Sequence, residues 1–335
     1  MTTRNPGLGV LMVLSASVLF AVNGTVSKLV LRAGVEAPQL TLIRAAGAFA
    51  GLLLLSVLLR PGVRRLRVTA RDLPLLIGFG LAGFFLTPML YFTAISRLPV
   101  GIGLLFEYTA PLLVALWARF GQHQRARPRL WLGLAASLAG LACVAEIWGS
   151  LELDGLGVLA GLGAAVVLAC YYVLGARGVQ QRDTLSLTTW AFGASAVAGL
   201  VTRAVTVGGG GWEPLGERSG GVPVALLCAY VVVLGSIVPF LLVSGALRHL
   251  PATSVSILGM AEPVIASAVA WLAIGTGEAL TPVQIAGGLV VLAGVALAET
   301  ARLPSPTQPS APPPPPVPPV VDHEVVPLGP PGPPR

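Results

Sequence analysis

The sequence predicts an all-α membrane protein with ten transmembrane helices, arranged as two inverted five-helix repeats. Hydrophobic residues make up 55% of the 335-residue chain and charged residues only 10%, whereas a soluble domain carries roughly 25% charged residues. Apolar runs long enough to cross a hydrocarbon core, about 20 residues each, recur from Leu8 to Thr300, and the second half repeats the first. A transmembrane β-barrel is excluded, because barrel strands are short segments of alternating polarity.

Polar residues and Gly/Pro breaks divide the apolar sequence into ten predicted spans. The first span follows Arg4 as a signal peptide would, but no A-x-A-like cleavage site follows it and nine more spans do, so we expect it to be retained. The spans cover residues 8–31, 38–59, 73–95, 99–119, 130–148, 155–175, 186–207, 222–247, 252–274 and 282–300.

Positive charge is confined to alternate loops, which indicates membrane orientation and not nucleic-acid binding. Arginines follow each even-numbered span, whereas the opposite loops are mostly acidic. Both termini are therefore expected in the cytoplasm, with the protein in the bacterial plasma membrane. The arginines that follow the even-numbered spans are Arg60, Arg64, Arg65, Arg67, Arg71, Arg119, Arg125, Arg127, Arg129, Arg177, Arg182, Arg248 and Arg302.

An internal duplication divides the chain into residues 1–150, which form the first repeat, and residues 151–302, which form the second. A shift of 152 residues places Leu98-Pro99 on Leu250-Pro251 and Pro111 on Pro263. The tripeptide GVL at 9–11 likewise matches GVL at 157–159. Each repeat has five spans, an odd number, so the second copy lies upside down in the membrane. Inverted repeats are typical of secondary transporters, whose binding sites lie between the repeats near the bilayer midplane.

Residues 303–335 form a predicted disordered, cytoplasmic tail. Residues 304–335 hold 15 of the 29 prolines of the chain, and such a segment can form neither a helix nor a core.

Four prolines lie within spans at corresponding places in the two repeats: Pro88 and Pro111 in the first, Pro239 and Pro263 in the second. Proline removes a backbone hydrogen bond and frees a carbonyl. At membrane depth, free carbonyls are tolerated where they are buried in protein or line a cavity. We expect the four prolines to mark helix breaks or hinges near the binding site.

Two glutamates lie deep within predicted spans, and they are the main candidates for binding substrate or protons. Counting along the helices, Glu107 is about 12 Å and Glu262 about 16 Å below the surface, near the middle of a core of about 30 Å. The repeat alignment separates them by three positions, which would keep them on one helix face. An ionised carboxylate at this depth costs about 2.5 to 3.5 kcal/mol or more, so each must be paired, protonated or hydrated.

Three further residues are candidates for the same site. Arg44 lies well inside the second span and could pair with Glu107, either as a static lock or as part of the transport cycle. Asn23 and Tyr91 could hydrogen-bond a substrate, although polar residues between membrane helices also serve as interhelical contacts. No metal-ligand spacing occurs, and no cofactor is expected.

The chain from residue 8 to 300 resembles the EamA-type transporters of the drug/metabolite transporter superfamily. The most specific segment is EPVIASAVAWLAIGTGEALTPVQIAGGLVVLAGV, residues 262–295, which is similar to the second-repeat signature of that family. LPVGIGLLFEYTAPLLVAL, residues 98–116, is similar to the corresponding segment of threonine/homoserine exporters. Arg44 falls where the family often carries an arginine.

The resemblance implies export of small metabolites by alternating access, with proton coupling and an amino-acid-like substrate as finer expectations. A multidrug exporter is the alternative. A membrane enzyme is not expected, because no HExxH motif, no paired aspartates and no histidine within a span occur. A scaffold or sensor that signals through the proline-rich tail is the alternative from another class. The expected partners are a small-molecule substrate and the lipid bilayer, without nucleic acid, and a homodimer stays open.

Overall fold

The computed structural model describes residues 4–59, 66–95, 97–98, 100–147, 154–205, 213–274 and 281–301. Within these ranges, nine helices are long and apolar enough to cross a membrane, and Pro128–Val144 is a further, shorter apolar helix. The predicted all-α membrane fold is therefore confirmed. The tail, residues 303–335, and the loop that contains Arg60, Arg64 and Arg65 lie outside the described residues.

The first repeat contains helices α1 to α7 and two π-helical segments. Its elements are α1 (Pro6–Arg32), α2 (Ala37–Leu59), α3 (Leu73–Gly80), a π-helix (Leu81–Leu86), α4 (Thr87–Ile95), α5 (Val100–Glu107), α6 (Ala110–Leu116), a second π-helix (Trp117–Gly121) and α7 (Pro128–Val144). The helices α3 and α4, with the π-helix between them, form the third span, and α5 with α6 forms the fourth.

The second repeat contains helices α8 to α14 and a short hairpin. Its elements are α8 (Gly155–Gln181), α9 (Thr184–Val205), a 3₁₀ turn (Glu213–Gly216), β1 (Arg218–Ser219), β2 (Val222–Pro223), α10 (Val224–Val232), a π-helix (Val233–Ile237), α11 (Val238–His249), α12 (Ala252–Gly259), α13 (Glu262–Ile274) and α14 (Pro282–Thr300). The antiparallel hairpin turns at Gly220 and Gly221, both with positive φ, a conformation that glycine adopts without strain. The helices α10 and α11 form the eighth span, and α12 and α13 form the ninth.

The last helix of each repeat shows directly that the repeats are inverted. A shift of 154 residues places Gly133 on Gly287 and Gly140 on Gly294. In the structure α7 and α14 are in contact, with Gly133 against Gly294 and Gly140 against Gly287. The two equivalent helices therefore run antiparallel. A Cβ atom on Gly140 would lie 2.6 Å from the carbonyl oxygen of Gly287, so small residues bring the two backbones into contact.

Helices from the two repeats interleave, and residues up to Arg302 form one compact unit. Within the described residues, α1 of the first repeat packs along α10 and α11, whereas α8 of the second packs along α3 and α4. Buried aromatic rings from both repeats fill the centre: Phe79, Phe84, Tyr171, Phe192 and Phe240. Large apolar side chains on the outer faces, such as Leu58 and Leu159, are more than half exposed, as expected for surfaces that face lipid.

Candidate functional site

The fourth and ninth spans are both interrupted, at positions related by the 152-residue shift. Helix α5 ends at Glu107 and α6 begins at Ala110, while α12 ends at Gly259 and α13 begins at Glu262. Pro111 and Pro263 lie one residue inside the helices that follow the breaks. In a continuous helix, the N–H of residue i+4 would bond the carbonyl of residue i, so these prolines leave the carbonyls of Glu107 and Gly259 without that donor.

The two glutamates lie at opposite kinds of helix end. Glu107 is the last residue of α5, where the carbonyl dipoles point outward, and Glu262 is the first residue of α13, where the N–H dipoles point outward. A helix N-terminus stabilises negative charge and a C-terminus does not, so Glu262 is the better placed of the two for an ionised carboxylate. That the two acids lie on the same face of their equivalent spans, as the repeat alignment predicts, stays a prediction.

The carboxylates of Glu107 and Glu262 nevertheless lie close enough for their charges to interact. Three tyrosines, Tyr91, Tyr108 and Tyr172, lie near both acids. The hydroxyl of Tyr108 also hydrogen-bonds the carboxylate of Glu262. Together these side chains form an acidic cluster with contributions from both repeats, and we refer to these five residues as the acid–tyrosine cluster.

Tyr91 was predicted from the sequence, whereas Tyr108 and Tyr172 were not. Tyr108 follows Glu107 directly in the chain, but side chains of adjacent helical residues diverge. Both side chains nevertheless lie near Glu262. Tyr172 lies in α8, and nothing in its local sequence indicates that α8 passes beside the broken spans.

Arg44 lies in α2, and its Nη2 atom donates to the carbonyl oxygen of Phe84 at 3.3 Å. In a regular helix that carbonyl would accept from residue 88, but residue 88 is Pro88, which has no N–H. The carbonyl of Phe84, which Pro88 leaves without a helical N–H donor, accepts from Arg44 instead. Among the described residues no acid pairs with Arg44, and the predicted pair with Glu107 does not form.

Asn23 lies in α1 against Gly235, in the π-helix of the eighth span. Its side-chain oxygen is shielded from solvent and has no hydrogen-bond partner among the described residues. A corresponding contact joins Tyr171 of α8 to Gly83 in the π-helix of the third span. Asn23 therefore contacts the interface between two helices, and the structure does not bring it to the acid–tyrosine cluster.

Pro88 and Pro239 each lie two residues after the end of a π-helical segment, at residues 81–86 and 233–237. Thr87 donates its hydroxyl to the carbonyl oxygen of Ala82, and Ser236 does the same to Val231, each five residues back. π-helical turns inside α-helices occur frequently at functional sites. Each of the four prolines thus lies at or beside an irregular place in its span, whereas their role as hinges stays a prediction.

A charged contact joins the repeats where α3 begins and α8 ends. Asp72 and Arg182 form an ion pair at 2.7 Å, and Arg182 also donates to Ser186 and to the carbonyl oxygen of Arg67. Hydrogen bonds from the backbone and side chain of Thr69, followed by the charge of Arg182, hold the pKa of Asp72 below its ordinary value. The described residues contain no group of three His, Cys, Asp or Glu side chains that could hold a metal ion.

Comparison with known proteins identifies the family. Its model, described as the EamA-like transporter family, matches the chain twice, over residues 7–145 and 155–300. The chain belongs to the EamA-like transporter family. As a multi-pass EamA-like protein, it is a membrane transporter.

Relatives of this EamA-like protein include an exporter of known substrate. The chain is 28% identical over 285 residues to the threonine/homoserine exporter RhtA of Escherichia coli K12. The aligned region covers 80% of this chain and 84% of RhtA. It is 25% identical over 268 residues to the uncharacterized transporter YdfC of Bacillus subtilis, with 79% and 83% of the two chains covered. A crystal structure at 20% identity superposes with a TM-score of 0.72, over 88% of this chain and 97% of that one, which shows a shared fold.

Proposed function

We propose that this EamA-like protein exports small metabolites across the bacterial plasma membrane by alternating access, and that its substrates are amino-acid-like. The observation that carries the proposal is the acid–tyrosine cluster. Two carboxylates interact there, within the bilayer, at symmetric breaks in two spans. Similarity to a threonine/homoserine exporter over most of both chains supports the amino-acid class. The arginine-rich loops after the even-numbered spans support a cytoplasmic location of both termini.

The acid–tyrosine cluster suits a ligand that carries an ammonium group. Glu262 accepts a hydrogen bond from Tyr108 and lies at the N-terminus of α13; both favour its ionised form, so we assign it the role of the negative partner. Glu107 lies at the C-terminal end of α5 and has no such support, so it is the better candidate for taking up a proton. Aromatic faces add a cation–π attraction for an ammonium ion. Binding of substrate at Glu262 and of a proton at Glu107 would couple the two fluxes.

Counterflow in proteoliposomes tests this proposal. Purified protein is loaded with unlabelled amino acids, and uptake of labelled threonine and homoserine is followed with and without a pH gradient. We expect saturable uptake that responds to the gradient. The variant Glu107→Gln should keep threonine binding but lose the response to the gradient, whereas Glu262→Gln should lose binding. Glu217→Gln, which changes an exposed acid, is the matched control.

Other results would favour one of the alternative functions or contradict the role of Glu107. Export of hydrophobic cations without any amino-acid uptake would favour the multidrug alternative, to which tyrosine rings beside carboxylates are also suited. A scaffold that signals through the proline-rich tail would lose its function on deletion of residues 304–335, whereas a transporter would keep its flux. Glu107→Gln with normal expression and unchanged, pH-responsive transport would contradict the role assigned to that acid.

A further inference from the structure

Arg44 is a partly buried cation, and among the described residues almost none of its hydrogen-bonding capacity is used. A guanidinium group has five N–H donors in a planar fork, and the bond to the carbonyl oxygen of Phe84 uses one of them, at the long distance of 3.3 Å. The Nε atom is shielded from solvent without a partner. No acid among the described residues neutralises it. A buried, unpaired charge is strongly unfavourable, so this arrangement calls for an anionic partner.

The place of Arg44 in the fold connects it to the acid–tyrosine cluster. Its bonding partner Phe84 lies two helical turns before Tyr91 on the third span, about 10 Å along the axis. The ring of Phe84 contacts that of Tyr171, and Tyr171 contacts Tyr172, with centroid separations of 5.8 and 5.2 Å. Tyr91 and Tyr172 both lie near Glu107 and Glu262. A continuous set of aromatic side chains therefore runs from the lone cation to the two acids.

We infer that Arg44 binds the carboxylate of the transported substrate at a position separate from Glu262, about two helical turns away along the third span, so that the protein selects compounds with an acidic group. Arginine is suited to this role because two parallel N–H donors match the two oxygens of a carboxylate. The carbonyl of Phe84, which Pro88 leaves without a helical N–H donor, accepts from Nη2, while the N–H of Nε has no partner among the described residues. The inference rests on the proposed transport function and adds a chemical requirement to it.

Competition in the counterflow assay tests the selectivity directly. In the wild-type protein, uptake of labelled threonine should be inhibited by excess threonine and only weakly by threonine amide or threoninol, which lack the carboxylate. In Arg44→Gln the KM for threonine should rise roughly 10- to 100-fold, the range for loss of a charge-assisted hydrogen bond, and the preference over the amide should disappear. Arg44→Lys should recover part of the affinity.

A purely structural role for Arg44, as a strut between α2 and the third span, makes a different prediction. Such a strut would change the thermal stability of Arg44→Gln but leave the preference for threonine over its amide intact, and that outcome would overturn the inference. Arg177→Gln, which removes an exposed arginine of α8, controls for the loss of one positive charge.

A second readout keeps the inference testable if threonine is not a substrate. Melting of the purified protein is then followed with lactate, propionate and a panel of amino acids. A carboxylate that raises the melting temperature of the wild type and of Arg44→Lys, but not of Arg44→Gln, supports the assignment. Absence of any shift with all of these acids would overturn it. Failure of threonine transport with a shift by lactate would refute the amino-acid proposal alone.

Discussion

The side-chain amide of Asn23 in α1 lies against the Cα atom of Gly235, in the π-helical turn of the eighth span. A shift of 148 residues places Asn23 on Tyr171, and one of 152 places Gly83 on Gly235. Tyr171 and Gly83 make the equivalent contact between α8 and the third span. Each π-helical turn thus receives a side chain from the opposite repeat at a glycine, where no other residue leaves room.

Replacement of these glycines by alanine should destabilise the protein unequally. The Cβ atom of Gly83→Ala would enter the ring of Tyr171, which is stacked on Phe79 with ring centroids 5.0 Å apart. Because that ring cannot move aside, we expect a loss of roughly 1–3 kcal/mol, as for other overpacked cores. Gly235→Ala should cost less, since the Asn23 amide is smaller and can rotate. Melting temperatures in detergent measure both.

Gly24→Ala is the matched control, because a Cβ atom there meets nothing within 4 Å. That variant should be neutral or slightly stabilised by about 1 kcal/mol, since alanine favours a helix over glycine. Equal melting temperatures for Gly83→Ala and Gly24→Ala would show that the Tyr171 ring is not fixed.

Disulfide cross-links should reveal which helices move together. A Cβ atom on Gly157 would lie 3.0 Å from the Cβ of Arg97, and one on Gly9 would lie 3.0 Å from the Cβ of His249. These separations are near the range that a disulfide spans. In a background without Cys143, Cys170 and Cys228, we expect both cysteine pairs to form cross-links on oxidation, seen as mobility shifts on gels.

Transport should survive both cross-links. The third span and α8 are also tied at their far ends by Asp72 and Arg182, and α1 and the eighth span by the hydroxyl of Ser219 and the carbonyl of Leu29. Helices fastened at both ends and at their middle should move as one body, each body containing a helix from each repeat. Transport that stops on oxidation and returns with a reductant would show that the paired helices separate during the cycle.

The ion pair of Asp72 should make stability depend on pH in the acid range. Hydrogen bonds from Thr69 and the charge of Arg182 hold the pKa of Asp72 below its ordinary value of 3.8. A lowered pKa means that the stabilisation is complete above 3.8 and is lost as pH falls through the lower, folded-state value. Asp72→Asn should therefore have a lower melting temperature at pH 7, and this difference from wild type should shrink below about pH 4.

The control for this prediction is Glu217→Gln, which changes an exposed acid. Its melting curve should follow that of the wild type at each pH. A difference between Asp72→Asn and wild type that stays constant down to the lowest pH would mean that the charge of Asp72 does not contribute.

The contact between α7 and α14 should tolerate no side chain. The Cβ of any residue at Gly140 would lie 2.6 Å from the carbonyl oxygen of Gly287 and 2.7 Å from the backbone nitrogen of Val291. Backbone atoms cannot rotate away, so Gly140→Leu should lose at least about 1–3 kcal/mol or fail to fold. The neighbouring Ala139 is exposed, and Ala139→Leu should retain the wild-type melting temperature.

Much of the candidate site was readable from sequence because membrane burial makes polar residues conspicuous. Glu107 and Glu262 were identified because an acid in an apolar run is costly, and the prolines because they cannot complete a helix. Tyr108 and Tyr172 were not predicted, since a tyrosine in a membrane helix is not unusual. The pairing of Arg44 with Glu107 was wrong for a related reason. The depth of a residue can be counted along a helix, but the direction of its side chain cannot.

The sequence by itself determined the class of fold, the succession of apolar spans and the inverted duplication, because hydrophobic length and proline chemistry act locally along the chain. Only the tertiary structure decided which helices of the two repeats lie together. It placed Asn23 against Gly235, Arg44 at the carbonyl of Phe84 and Tyr172 beside the glutamates. Those contacts depend on close packing between distant helices, in which a missing Cβ atom or a broken helical turn decides what can approach.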